Sequence, residues 1–233
     1  MPAGAGWRWI LEGFGLFRRA PLIWLLLVGM LFAFSLLTSM VPAVGAVVLY
    51  VVSPGLLAGM LIGCADLRAG RELSGQHLLA GFSRSAYRLL WLGVFYTLAQ
   101  VLLLGLLLVA GAGLPLDPLA EVPTLPPPAE LSLGLVALAL LVSVLMTMLI
   151  WFAPALIVFR DQSVWPAMRM SLAACLFNWK AYAVNALAMM VLLLLAVLPM
   201  LVGLLVWLPV MVCGLFCAYC EIFGEPAAGN KAT

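Results

Sequence analysis

The sequence predicts an all-α polytopic membrane protein of six transmembrane helices, built as three repeats of an interfacial amphipathic helix followed by a transmembrane hairpin. Three observations carry this. Of the 233 residues, 67% are apolar and 9% charged, against roughly 45–50% and about 25% in an average soluble domain, so a water-soluble fold could not cover its surface. Six charge-free apolar segments, at about 22–41, 43–65, 89–111, 131–158, 181–199 and 201–220, are each long enough at about 1.5 Å per residue to cross roughly 30 Å of hydrocarbon. All eleven Lys and Arg residues fall on one side of the resulting map, and the opposite loops carry only Asp117, Glu121 and Glu130.

Taken in order, the chain starts with Trp7, Ile10, Leu11, Phe14 and Phe17 at helical spacing and Arg8, Glu12 and Arg18 off that stripe, the pattern of a helix lying in the membrane interface. Gly13 and Gly15 lower its intrinsic propensity. The run from Leu22 to Val41 holds twelve Leu, Ile, Val or Phe residues, worth roughly −4 to −7 kcal/mol for insertion. It is longer than the 7–15 residues of a signal-peptide core and a second span follows almost at once, so it reads as a retained first helix. A turn near Pro42 leads into the second span, where Pro54 predicts a kink and Gly55, Gly59 and Gly63 form a small-residue ladder. In lipid such ladders matter because they let helix backbones approach. The polar segment 66–88 repeats the amphipathic pattern briefly at Leu78, Leu79 and Phe82. After the third span, six prolines between 111 and 130 make an extended outward spacer. The fourth span carries Pro154. Trp165, Met168, Leu172, Leu176 and Trp179 form the third amphipathic stripe, and a turn near Pro199 separates the fifth span from the sixth, which carries Pro209, Gly214 and Ala218.

The repeats are visible in the letters. ILEGF at 10–14 matches LLAGF at 78–82, and Pro54, Gly59, Gly63 and Asp66 match Pro209, Gly214, Ala218 and Glu221 at identical spacings. The chain reads as a single six-span domain, 1–233, with units at about 1–66, 67–161 and 162–233. Pro54 and Pro209 are expected at matched depth and Pro154 nearer the basic edge. The second and sixth spans are expected to meet through the faces of Gly59, Gly63, Gly214 and Ala218 around an axis shared with the fourth. The charge asymmetry places the basic side, and with an even number of spans both termini, in the cytoplasm.

Several function classes are argued against. A net charge of +2 suggests no nucleic-acid partner. No Asp, Glu, Lys, Arg or His lies inside any span, which removes the usual marks of an ion-coupled pump. Gln100, Asn185, Ser143 and Thr147 remain as intramembrane polar groups suited to interhelical hydrogen bonds. Cys213, Cys217 and Cys220 share one helix face, with Cys64 at comparable depth, and Met60 and Met211 could add thioethers for Cu(I). With no C-x2-C pair or nearby His, they read as small packing residues, and neither metal nor cofactor is expected. His77 would need a nucleophile and an orienting acid to act as a base; otherwise it is a solvated surface residue.

The stretch WFAPALIVFRDQSVWPAMRMSLAACLFNW at 151–179, with SPGLLAG at 53–59, resembles a group of uncharacterised proteobacterial six-span inner-membrane proteins. More distantly it is similar to YciC-type proteins and to the membrane domain of some glycerophosphodiester phosphodiesterases. The resemblance implies the topology and a bacterial inner membrane, and supplies no functional residues. The expected role is a non-enzymatic component that binds a membrane-protein partner or a second copy of itself, or that supports envelope maintenance; the alternative is a permease or flippase for an apolar or lipid-like molecule. The first is motivated by the small-residue ladders, the second by the repeats and the prolines.

Overall fold

In a computed structural model the described residues are 1–41, 44–112, 133–198 and 202–226. The turns at Pro42 and Pro199, most of the Pro-rich loop and Lys231 lie outside them. The described residues form helices and no strands: α1 (Gly4–Phe17), α2 (Pro21–Ser39), α3 (Val44–Arg68), a 3-10 turn (Gly75–Leu78), α4 (Ala80–Ala112), α5 (Leu133–Trp151), α6 (Ala153–Arg160), α7 (Val164–Phe177), α8 (Trp179–Val197) and α9 (Leu204–Phe223). Six of these stretches are long and apolar enough to cross a membrane: α2, α3, α4 with its preceding turn, α5 with α6, α8 and α9.

Burial is uneven among the six, and that sets the architecture. Buried side chains concentrate in α3 and α9, whereas α2 buries three residues and α5 none. So α3 and α9 form the middle of the bundle. They meet at Cys64 and Cys213, whose sulfurs lie 3.7 Å apart. The expected meeting through the glycine faces is not what forms. A Cβ on Gly59 would run into the carbonyls of His77 and Leu78, and one on Gly214 would sit 3.3 Å from the carbonyl oxygen of Trp9. Each small-residue face therefore receives an amphipathic segment instead of the other spanning helix. Gly55 and Gly63 do the same, lying against Phe82 and Leu73.

These contacts follow an order around the bundle. The segment 75–84 lies on α3, α7 lies on α5 and α6, and α1 lies on α9. Each amphipathic segment thus packs on the second spanning helix of the preceding hairpin, and the first closes on the last. Small residues make the close approaches: Gly13 against Gly214, Gly81 against Gly55 and Gly59, and Ser171 against the backbone at Met148 and Phe152. Acids fasten two of them at the basic end. Glu221 of α9 takes Arg8 and the Trp9 indole N–H of α1, the latter at 2.6 Å. Asp66 of α3 takes Arg71 at 2.5 Å and His77 at 3.0 Å.

The stripes seen in sequence turn out to face both ways. In α1, Trp7, Leu11 and Phe14 are exposed, Ile10 and Phe17 are buried, and Trp9 and Gly13 join the buried face. In α7 the aromatic and Leu positions Trp165 and Leu176 are exposed, while Ala167, Met168, Ser171, Ala174 and Cys175 are buried. Lipid explains the inversion: large apolar side chains gain nothing by leaving hydrocarbon, and small ones let helices approach.

Candidate functional site

The three prolines flagged in sequence each lie in a spanning helix, and beside Pro154 that helix breaks. A proline has no N–H for the carbonyl four residues earlier, so each one frees an acceptor. For Pro54 that acceptor is the Tyr50 carbonyl, and the Ser53 hydroxyl donates to it at 2.9 Å. For Pro154 the disruption is larger, because the fourth span breaks into α5 and α6 at Phe152. There the Phe152 N–H donates to the Ser171 hydroxyl at 2.9 Å, and that hydroxyl donates to the Met148 carbonyl at 2.7 Å. A hydroxyl from α7 is thereby inserted into the helix ladder, one of the identifiable causes of a sharp bend. Pro209 lies inside α9 and, like the other two, is buried.

A cavity of about 500 Å³ lies between α2, α3, α4, α5, α6 and α9, within the range of roughly 300–1,000 Å³ typical of small-molecule sites. Pro54 and Pro154 line it, and so do Leu208 and Met211, which flank Pro209. Its floor is buried, with Leu56, Met60 and Leu215 among its residues, whereas Phe32 on α2 is exposed. The opening is therefore on the outer surface of the bundle at α2. Aromatic rings of Tyr96, Trp151 and Trp207 stand in the wall, and among the described residues no Asp, Glu, Lys, Arg or His lines it. Chemically the site can hold hydrocarbon and place a few neutral polar groups beside it.

The remaining sequence candidates lie elsewhere. Gly55, Gly59, Gly63 and Gly214 are taken up by contacts within the chain, as described above, and Ala218 is buried in α9. Cys213, Cys217 and Cys220 are buried on α9, and among the described residues no group of three His, Cys, Asp or Glu side chains is placed to hold a metal ion. His77 is not the solvated residue that sequence suggests, its side chain being 13% exposed. The Ser74 backbone N–H donates to Nδ1 at 3.1 Å, so Nδ1 accepts and Nε2 carries the proton that meets Asp66 at 3.0 Å. The imidazole thus pins the 3-10 turn onto the end of α3.

Tyr96, Trp151, Trp207 and Ser171 are site residues that no motif announces. Only Trp151 and Trp207 stand close in sequence to a flagged proline, Pro154 and Pro209.

Among curated proteins, the chain is similar to the probable inner membrane protein BTH_II0599 of Burkholderia thailandensis, with 30% identity over 197 residues covering 79% of this chain and 72% of that protein. No family model matches the chain, and no solved structure does. The likeness agrees with an uncharacterised inner-membrane protein and lends no support to the resemblance to YciC-type proteins or to phosphodiesterase membrane domains.

Proposed function

The chain belongs to the family of the probable inner membrane protein BTH_II0599, and from that premise we propose that it is a non-enzymatic component of the bacterial inner membrane that takes up an apolar or lipid-like molecule, as a carrier, permease or flippase does. The observation that supports this is the cavity of about 500 Å³ beside Pro54 and Pro154, apolar and with no Asp, Glu, Lys, Arg or His among its described lining residues. The reading places both termini in the cytoplasm, from the one-sided distribution of Lys and Arg.

The partner-binding role is the second reading, and the ladders that motivated it no longer favour it. Gly55, Gly59, Gly63 and Gly214 sit against Phe82, His77, Leu73 and Trp9 of the same chain, which leaves those faces no surface for a second protein. The test is purification in mild detergent followed by lipid and protein mass spectrometry. A lipid retained at near-stoichiometric ratio supports the carrier reading. A stoichiometric partner protein with no retained lipid overturns it in favour of the second.

A further inference from the structure

Resting on the carrier reading, we propose that the cavity selects an uncharged lipid bearing a carbonyl acceptor, and that the Tyr96 hydroxyl is the group that recognises it. The argument runs through the polar inventory of the cavity wall. With no Asp, Glu, Lys, Arg or His among its described residues, an ionic head group inside would be desolvated and unpaired, so the part that enters must be neutral.

Three of the wall's donors are already committed to backbone carbonyls. The Ser53 hydroxyl bonds Tyr50 at 2.9 Å, the Thr147 hydroxyl bonds Ser143 at 2.8 Å, and the Trp207 indole N–H bonds Met189 at 3.0 Å. Tyr96 is different. Its oxygen accepts from the Gln100 amide at 3.1 Å, and among the described residues no acceptor stands opposite its own O–H. Accepting one hydrogen bond polarises a hydroxyl toward donating another. Two other lining donors have no acceptor among the described residues: Ser35, one turn from Phe32 at the opening, which is smaller and lies nearer the outside, and the Trp151 indole N–H, whose ring packs edge-on against Tyr182 beyond the lining. A donor held in an apolar surrounding gains most from an occupant that supplies a carbonyl.

Two kinds of membrane molecule share this chemistry: a quinone with a hydrocarbon tail, and a glyceride with ester carbonyls. In both, the chain fills the apolar floor at Met60 and Leu215 while the carbonyl meets Tyr96.

The test titrates purified protein in phosphatidylcholine nanodiscs with three probes: decylubiquinone, dioctanoylglycerol and dodecane, the last lacking any acceptor. The proposal expects at least one carbonyl probe to bind and Tyr96→Phe to weaken it roughly 2- to 10-fold, the net value of one hydrogen bond, while dodecane binding stays the same. Whichever carbonyl probe loses more identifies the source. An equal effect of Tyr96→Phe on dodecane and the carbonyl probes, or no effect on any of them, overturns the role of Tyr96 and leaves the carrier reading standing. Leu57→Trp, which fills the cavity, separates the two: if it leaves every probe bound as tightly as in the parent protein, the cavity is not the site and both readings fall.

Discussion

Replacing Gly13 with Ala tests whether α1 is held on α9 by backbone contact. A Cβ at residue 13 would lie 2.5 Å from the Gly214 nitrogen and 2.8 Å from its Cα. Carbon contacts settle at about 3.5 Å or more, so the two helices would have to separate by about 1 Å. Neither atom can rotate away, because both are backbone. Gly15, two residues on, is the internal control: nothing lies within 4 Å of its added Cβ, and nothing in the structure explains why it is glycine. Both substitutions gain roughly 0.8–1 kcal/mol of helix propensity, so that contribution cancels between them and the difference isolates the overpacking cost of about 1–3 kcal/mol. Gly15→Ala should be neutral or stabilising and Gly13→Ala less stable than it by that margin. Unfolding in dodecylmaltoside with increasing SDS, followed by tryptophan fluorescence, reads both. Equal stability of the two variants would show that α1 does not rest on α9 at Gly13.

Three further outcomes are expected. Ser171→Ala leaves the Phe152 N–H and the Met148 carbonyl without the hydroxyl that bridges them, so it should destabilise by about 1–3 kcal/mol in the same unfolding assay, whereas Ser171→Thr, which keeps a hydroxyl, should recover part of that. Burial pushes the Cys175 thiol up to about 12; its thiolate, the reactive form, is therefore scarce at neutral pH, and a variant with Cys175 as sole cysteine should resist N-ethylmaleimide at pH 7 until SDS unfolds it. Rapid labelling of the folded protein would contradict its buried position on α7. A reporter fused after Thr233 should be cytoplasmic and one inserted at Thr124 periplasmic; finding both on one side would overturn the six-span orientation.

Much of the fold was legible because the bilayer constrains it severely. A chain that must satisfy its backbone in hydrocarbon writes its spans as long charge-free runs, and all six runs correspond to helices long enough to cross. The break beside Pro154 was legible for a similarly local reason, since a proline removes one donor from its own helix, whereas Pro54 and Pro209 lie inside continuous helices. What failed needed knowledge of the partner surface. Gly13 looked like a flaw in α1 and is the residue that admits Gly214. The Gly59 and Gly214 faces were expected to meet, yet each receives an amphipathic segment, because small-residue spacing reports close approach without naming the neighbour. The break at Phe152 depends on a hydroxyl 19 residues away in another helix. His77 gave no sign of its Asp66 partner, 11 residues earlier and across a turn. The cavity is the least legible feature. It is a gap left between five spans, and no spacing of letters encodes a gap.

The carrier reading stands on that gap being filled by an apolar molecule. A cryo-electron microscopy map of the chain in nanodiscs made from total inner-membrane lipid, with a bound antibody fragment to add mass, tests it most directly. The account predicts elongated non-protein density on the floor formed by Pro54, Met60, Pro154 and Leu215, reaching toward Phe32. A map in which the Trp151 and Trp207 side chains fold into the space and close it, with no density left between the helices, would contradict it.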